Sequence, residues 1–182
     1  MFVFSSIVAC SASIPDMGPC DVPICTQYDF DFDMFHRENG GCWHVAYGPD
    51  TSFNRNLSSM TINIDPIGNG QYRDIITYLT KDGKSGLLAE EVITNNGHGV
   101  CTATTTDKEV YTINFLHYDP GKYCFYYICS SEGNDYKIDY RYVLAHRLLT
   151  ADEKSAVYAI DKEYGFQGEL IPFGISNQKD SI

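Results

Sequence analysis

Basic residues are in short supply in this chain: 13 Lys and Arg stand against 24 Asp and Glu, giving a formal net charge of −11. Nucleic-acid binders draw most of their affinity from Lys and Arg facing phosphates, so no nucleic-acid partner is expected. Long apolar runs are missing too, and no later stretch approaches the roughly 18 consecutive apolar residues of a membrane-spanning helix. The spacings that mark catalysis or metal binding are likewise absent. The five histidines, His36, His44, His98, His117 and His146, are scattered, with no H-E-x-x-H and no pair at ligand spacing, so no metal, cofactor or enzymatic activity is expected. Gly40-Gly41 and Gly68-Asn69-Gly70 read as turns, because neither stands between a strand and a helix with a following Lys as a phosphate loop does. Glu90-Glu91 suggests a carboxylate pair, but adjacent side chains on a strand point to opposite faces. One of them facing a cavity would receive a cationic ligand. A buried carboxylate without a partner is costly, however, so a solvated face is expected.

What is present fits one exported domain. The 182 residues, 43% of them hydrophobic, suffice for a single core or for a barrel around a ligand-sized cavity. The first thirteen residues, MFVFSSIVACSAS, are apolar and end in small residues, as a signal peptide does, although the positive start of such a peptide is missing. Cleavage near Ala12 or Ser13 would leave residues 14–182 as a secreted, extracellular domain. Six cysteines then remain, Cys20, Cys25, Cys42, Cys101, Cys124 and Cys129, which in an exported chain imply up to three disulfides. Asn56-Leu57-Ser58 is a glycosylation sequon.

From Cys42 to Leu149, eight β-prone runs alternate with turn clusters, the pattern of an antiparallel barrel or sandwich. They are placed near 42–48, 58–66, 71–80, 85–95, 99–106, 109–118, 123–131 and 136–147. The last run sends Ile138, Tyr140, Tyr142 and Leu144 to one side and Lys137, Asp139 and Arg141 to the other, which reads as the wet face. The second puts Met60, Ile62 and Ile64 against Thr61, Asn63 and Asp65, and the sixth aligns Tyr111, Ile113 and Phe115. A helix follows: Thr150 and Glu153 form a capping box, Val157, Ile160 and Tyr164 recur at helical spacing, and Gly165 sits at the C-terminal cap. Its narrow apolar stripe suits packing on the outside of a sheet.

Three marks in order resemble the lipocalin family, and within it the group of apolipoprotein D and the insect bilin-binding proteins. Gly41-Cys42-Trp43 is similar to the family's G-x-W, whose Trp closes the barrel floor; Asp119 with Tyr123 onward resembles its T-D-Y segment; and Tyr142-Val143-Leu144-Ala145-His146-Arg147 resembles the last strand, which ends in an Arg over that Trp. Counting back from Leu144 puts His146 at the covering position, with Arg147 one residue late, which leaves both as candidates for the place over Trp43. The resemblance implies an all-β fold, an eight-stranded antiparallel up-and-down barrel with one C-terminal helix packed outside. It also implies a bond from Cys129 to Cys20 or Cys25, whereas Ser181 stands where relatives carry a final cysteine.

The chain holds 14 Tyr and 10 Phe, which suit an apolar ligand carrying a few hydrogen-bonding groups. By alternation, Met60, Ile62, Tyr111, Phe115, Tyr127, Tyr140 and Tyr142 are expected to line the cavity. The expected function is binding and transport of a small hydrophobic molecule such as a fatty acid, sterol, retinoid, pheromone or bilin. The alternative is a secreted lipocalin acting through its loops on a receptor or other protein, as a salivary inhibitor or structural protein does. Less expected are a lipocalin-type isomerase or de-epoxidase, or a haem carrier, which would need a histidine inside the barrel.

Overall fold

The computed structural model describes residues 26–130, 138–166 and 168–175. Eight strands follow the eight apolar runs: β1 Cys42–Pro49, β2 Leu57–Gly68, β3 Gln71–Thr80, β4 Ser85–Gly97, β5 Val100–Thr105, β6 Val110–Asp119, β7 Tyr123–Ser130 and β8 Ile138–Ala145. Each pairs antiparallel with the next, and β1 pairs with both β8 and β2, so the sheet closes on itself and the eight barrel strands have no free long edge. Where β1 and β2 splay apart, a ninth strand, β9 (Leu170–Pro172), pairs with Tyr47–Pro49 of β1. The Gly174 amide then donates to the Ser58 carbonyl of β2 at 2.8 Å, so the segment covers the seam.

Inward-facing side chains come from alternate positions, except where a skipped residue shifts the phase, as Ala46 does in the β1–β8 register, leaving Val45 inside and Tyr47 outside. Leu116 is skipped in the β6–β7 register, so both Phe115 and Tyr118 turn inward while Leu116 packs outside. Leu88 is skipped in the β3–β4 register, which aligns Ala89, Glu91 and Ile93 with Ile76, Asp74 and Tyr72.

One end of the barrel is plugged. The short helix α1 (Phe32–Arg37) starts at Asp31, whose side chain accepts from the Met34 amide at 3.0 Å. Spacing of three residues then puts Phe32 and Phe35 on one face, inside this closed end, where Phe35 stacks on Trp43 at 4.6 Å between ring centroids. Gly41 precedes that Trp at φ +80°, and an added Cβ would lie 2.3 Å from the Ile64 carbonyl oxygen, so only glycine lets β1 begin this close to β2.

The helix α2 (Ala151–Glu163) carries the expected Thr150–Glu153 capping box and buries Val157 against the outer wall, beside Tyr47, Phe125, Tyr127 and Val143. This docking corrects two expectations. Arg141 is not on a wet face: it is 5% exposed, ion-paired with Asp161 of α2, donates to the Gly168 carbonyl at 2.8 Å and lies over the Phe166 ring. Tyr127 does not enter the cavity; it points outward under the helix and packs on Phe166. Residues 1–13, Cys20, Cys25 and the 176–182 tail lie outside the described residues.

Candidate functional site

Inside the barrel is a cavity of about 460 Å³, within the range that holds a small molecule. Its walls are Met60 and Ile62 of β2, Ile76 of β3, Tyr111 of β6, Tyr126 and Ile128 of β7, and Tyr140 and Tyr142 of β8. It opens between the β1–β2 and β5–β6 loops, where Phe53, Leu88 and Tyr140 are 42–43% exposed at the mouth. Five of the seven residues expected in the cavity are therefore there: Met60, Ile62, Tyr111, Tyr140 and Tyr142. Phe115 faces inward but lies lower, in the plug, stacked on Phe30 at 4.1 Å. Tyr126 and Ile128 take the place that alternation had assigned to Tyr127.

The plug is held by a polar knot around Glu38. Its carboxylate accepts from the Tyr118 hydroxyl at 2.6 Å and the Gly121 amide at 3.1 Å, and lies 3.3 Å from His146 Nε2. The His146 ring packs on Trp43 at 3.7 Å between centroids, and its Nδ1 is 3.1 Å from the Cys42 carbonyl oxygen. His146 is thus the residue over Trp43. Arg147 turns outward and grips Glu153 with both nitrogens, at 2.7 and 2.8 Å. Burial pulls His146 below the ordinary histidine range, outweighing the Glu38 carboxylate and the Cys42 carbonyl, which favour its proton. Asp119 ends β6 and pairs with Lys122 across the β6–β7 turn.

Two carboxyl groups lie directly between cavity and plug. Asp74 of β3 and Glu91 of β4 are register partners on the inward face, 4% and 3% exposed. The expected solvated face for Glu90-Glu91 therefore holds for neither completely: Glu90 is half-buried and Glu91 is buried. Burial pushes Glu91 up to about 7. Burial, and then the Glu91 charge, push Asp74 well above the carboxylate range. Asp74 Oδ1 and Glu91 Oε2 have no hydrogen-bond partner.

The cysteine framework differs from the expected one. Cys42, Cys101 and Cys124 are free thiols, whereas Cys129 is not. Cys101 and Cys124 face the interior among apolar side chains and Cys42 sits at the start of β1, so none of the three joins a disulfide. Burial pushes the Cys101 thiol up to about 12 and Cys124 well above the usual range, which leaves neither as a nucleophilic thiolate. No histidine lines the cavity among the described residues, so His offers no axial haem ligand there. No group of three or more His, Cys, Asp or Glu able to hold a metal occurs among the described residues, and no helix among them is long and apolar enough to cross a membrane.

No family model and no curated protein matches the chain. Solved structures do. Insecticyanin from the tobacco hornworm Manduca sexta superimposes with a TM-score of 0.64 at 14% identity, covering 85% of each chain. Lobster apocrustacyanin A1 gives 0.60 at 12%, covering 84% of this chain and 89% of that one. The siderocalin Ex-FABP, described as having dual ligand specificities, gives 0.57 at 10%, covering 75% and 94%. The likeness reaches the barrel as a whole and does not single out the apolipoprotein D group.

Proposed function

Starting from the lipocalin fold that the chain shares with these structures, we propose that it is a secreted carrier that binds one small hydrophobic molecule in the barrel cavity. The observation that carries this reading is the cavity of about 460 Å³, walled in its depth by aliphatic and tyrosine side chains. Burying roughly 300 Å² of ligand surface there releases on the order of 7 kcal/mol before ordering costs, enough for micromolar binding without any covalent step. Tyr111, Tyr140 and Tyr142 add hydroxyls to an otherwise apolar wall, which suits a ligand with a few polar atoms. Met60, Ile62 and these three tyrosines form the binding set, and Phe115 supports it from below.

Export agrees with the apolar stretch at residues 1–13. A disulfide from Cys129 to Cys20 or Cys25 would tie the N-terminal segment to β7. Asn56 is exposed at the end of a short turn, as an accepting glycosylation site must be. A second reading rests on the exposed Phe53, Leu87 and Leu88 near the mouth, which would let the loops engage another protein.

The test is a titration with a neutral fluorescent hydrophobic probe. One equivalent should bind, and Tyr142→Asp should weaken binding more than tenfold by placing a charge beside the ligand. Tyr127→Phe, on the outer wall, should leave it unchanged. If no hydrophobic probe binds while circular dichroism shows an intact fold, the cavity reading fails and the loop reading replaces it.

A further inference from the structure

The proposed cavity does not end in hydrocarbon. Beneath it lies a void of about 20 Å³, enough for one water-sized group, and Ile62, Ile76, Tyr126 and Ile128 line both spaces. Asp74 and Glu91 line this void, and apart from Tyr126 its other walls are apolar. The two carboxyls face each other from adjacent strands, each more than nine-tenths buried and each with one oxygen lacking any hydrogen-bond partner. The two carboxyls hydrogen-bond to each other, and Asp74 to the Ile75 backbone, yet one oxygen of each stays unpaired and no Lys, Arg or His among the described residues lines the void, so the pair is costly to the fold.

The mouth repeats the same sign. Glu90, Asp107 and Glu109 line the upper cavity, and no basic side chain does so among the described residues. A cleft lined by one sign of charge concentrates ligands of the other sign.

Resting on the reading of the barrel as a hydrophobic-ligand carrier, we propose that its ligand is a cationic amphiphile. The apolar body fills the upper cavity and a protonated amine sits in the lower void between Asp74 and Glu91. An ammonium carries three donors and no acceptor, so it satisfies both orphan oxygens at once and neutralises the pair. A carboxylate head at the same depth would meet only acceptors of its own charge. The site therefore selects amines over alcohols of the same length and rejects fatty-acid anions.

Matched probes decide the matter: decylammonium, decanol and decanoate, each titrated calorimetrically into the full chain at pH 7.4. Decylammonium should bind at least tenfold tighter than decanol, with decanoate weakest. In Asp74→Asn/Glu91→Gln the amine should fall to the level of decanol while decanol itself is unaffected; Glu91→Gln alone reads the same ratio should the double variant not fold. If decanol binds and decylammonium binds no tighter, the inference is wrong and the carrier reading stands. A preference that survives the substitutions but vanishes in high salt would place selection at the mouth and overturn the role of the pair. If none of the three binds, the carrier reading falls and takes this inference with it.

Discussion

Replacing the buried carboxyls with amides should change the pH dependence of stability in a direction fixed by their burial. Glu91 titrates near 7 in the folded barrel and near 4.5 in an unfolded chain. A carboxyl whose folded value is raised contributes most below its unfolded value, where both states hold the proton. That contribution is lost as pH rises through the folded value. For Glu91 the gap corresponds to about 3 kcal/mol lost between pH 4.5 and pH 7, and Asp74, displaced in the same direction, adds to the loss. His44, His117 and His146 act oppositely, since burial lowers all three and their neutral forms favour the fold as pH rises. They are common to both proteins and cancel in a difference. Urea denaturation of the parent and of Asp74→Asn/Glu91→Gln, at pH 4.5, 5.5, 6.5 and 7.5 and constant ionic strength, isolates the pair. The variant should gain on the parent by about 3 kcal/mol or more across this range. Parallel stability curves would show that the carboxyls are hydrated in solution, and the argument from burial would be refuted.

Arg141→Asp should destabilise the protein by about 3 kcal/mol, because it sets a second carboxylate against Asp161 in a mostly buried site and frees the Gly168 carbonyl; a shift in the denaturant midpoint reads it, and an unchanged midpoint would mean that α2 does not dock as described. Cys101 and Cys124 should resist alkylation in the native protein yet label fully on unfolding without reductant, as peptide mapping would show. Finding either one oxidised would contradict the free thiols of the interior.

The barrel was legible because seven of its strands keep period-two alternation or sharp turn signals, and because Thr150 and Glu153 mark the start of α2. Legibility failed on β7, which, like β1, is covered on both faces. In Tyr123–Cys129 every residue is apolar or aromatic, since the cavity wants Tyr126 and Ile128 while α2 wants Phe125 and Tyr127. Alternation carries no information there. The same helix explains Arg141, whose charge looked solvent-facing until Asp161 arrived from twenty residues downstream. α1 was missed because its six residues are too short for a helical period to show. Asp74 was missed because nothing local reveals that its register partner is Glu91. The cysteine count suggested oxidation, but pairing depends on which face each residue occupies, and Cys101 and Cys124 sit among side chains that offer burial and no bond.

The seam where β9 lies over the gap between β1 and β2 ties the order of synthesis to the order of assembly. Tyr47, Gly48 and Pro49 leave the ribosome some 120 residues before Leu170, Ile171 and Pro172, which complete their hydrogen bonding. Until then a nascent barrel shows an incomplete strand edge, the kind of surface that recruits stray strands from other chains. A stop codon or a bulky fusion placed just before residue 170 would leave that edge open in every molecule made. Such a truncation would therefore lower the soluble yield of the protein even with the cavity and all eight barrel strands encoded in full.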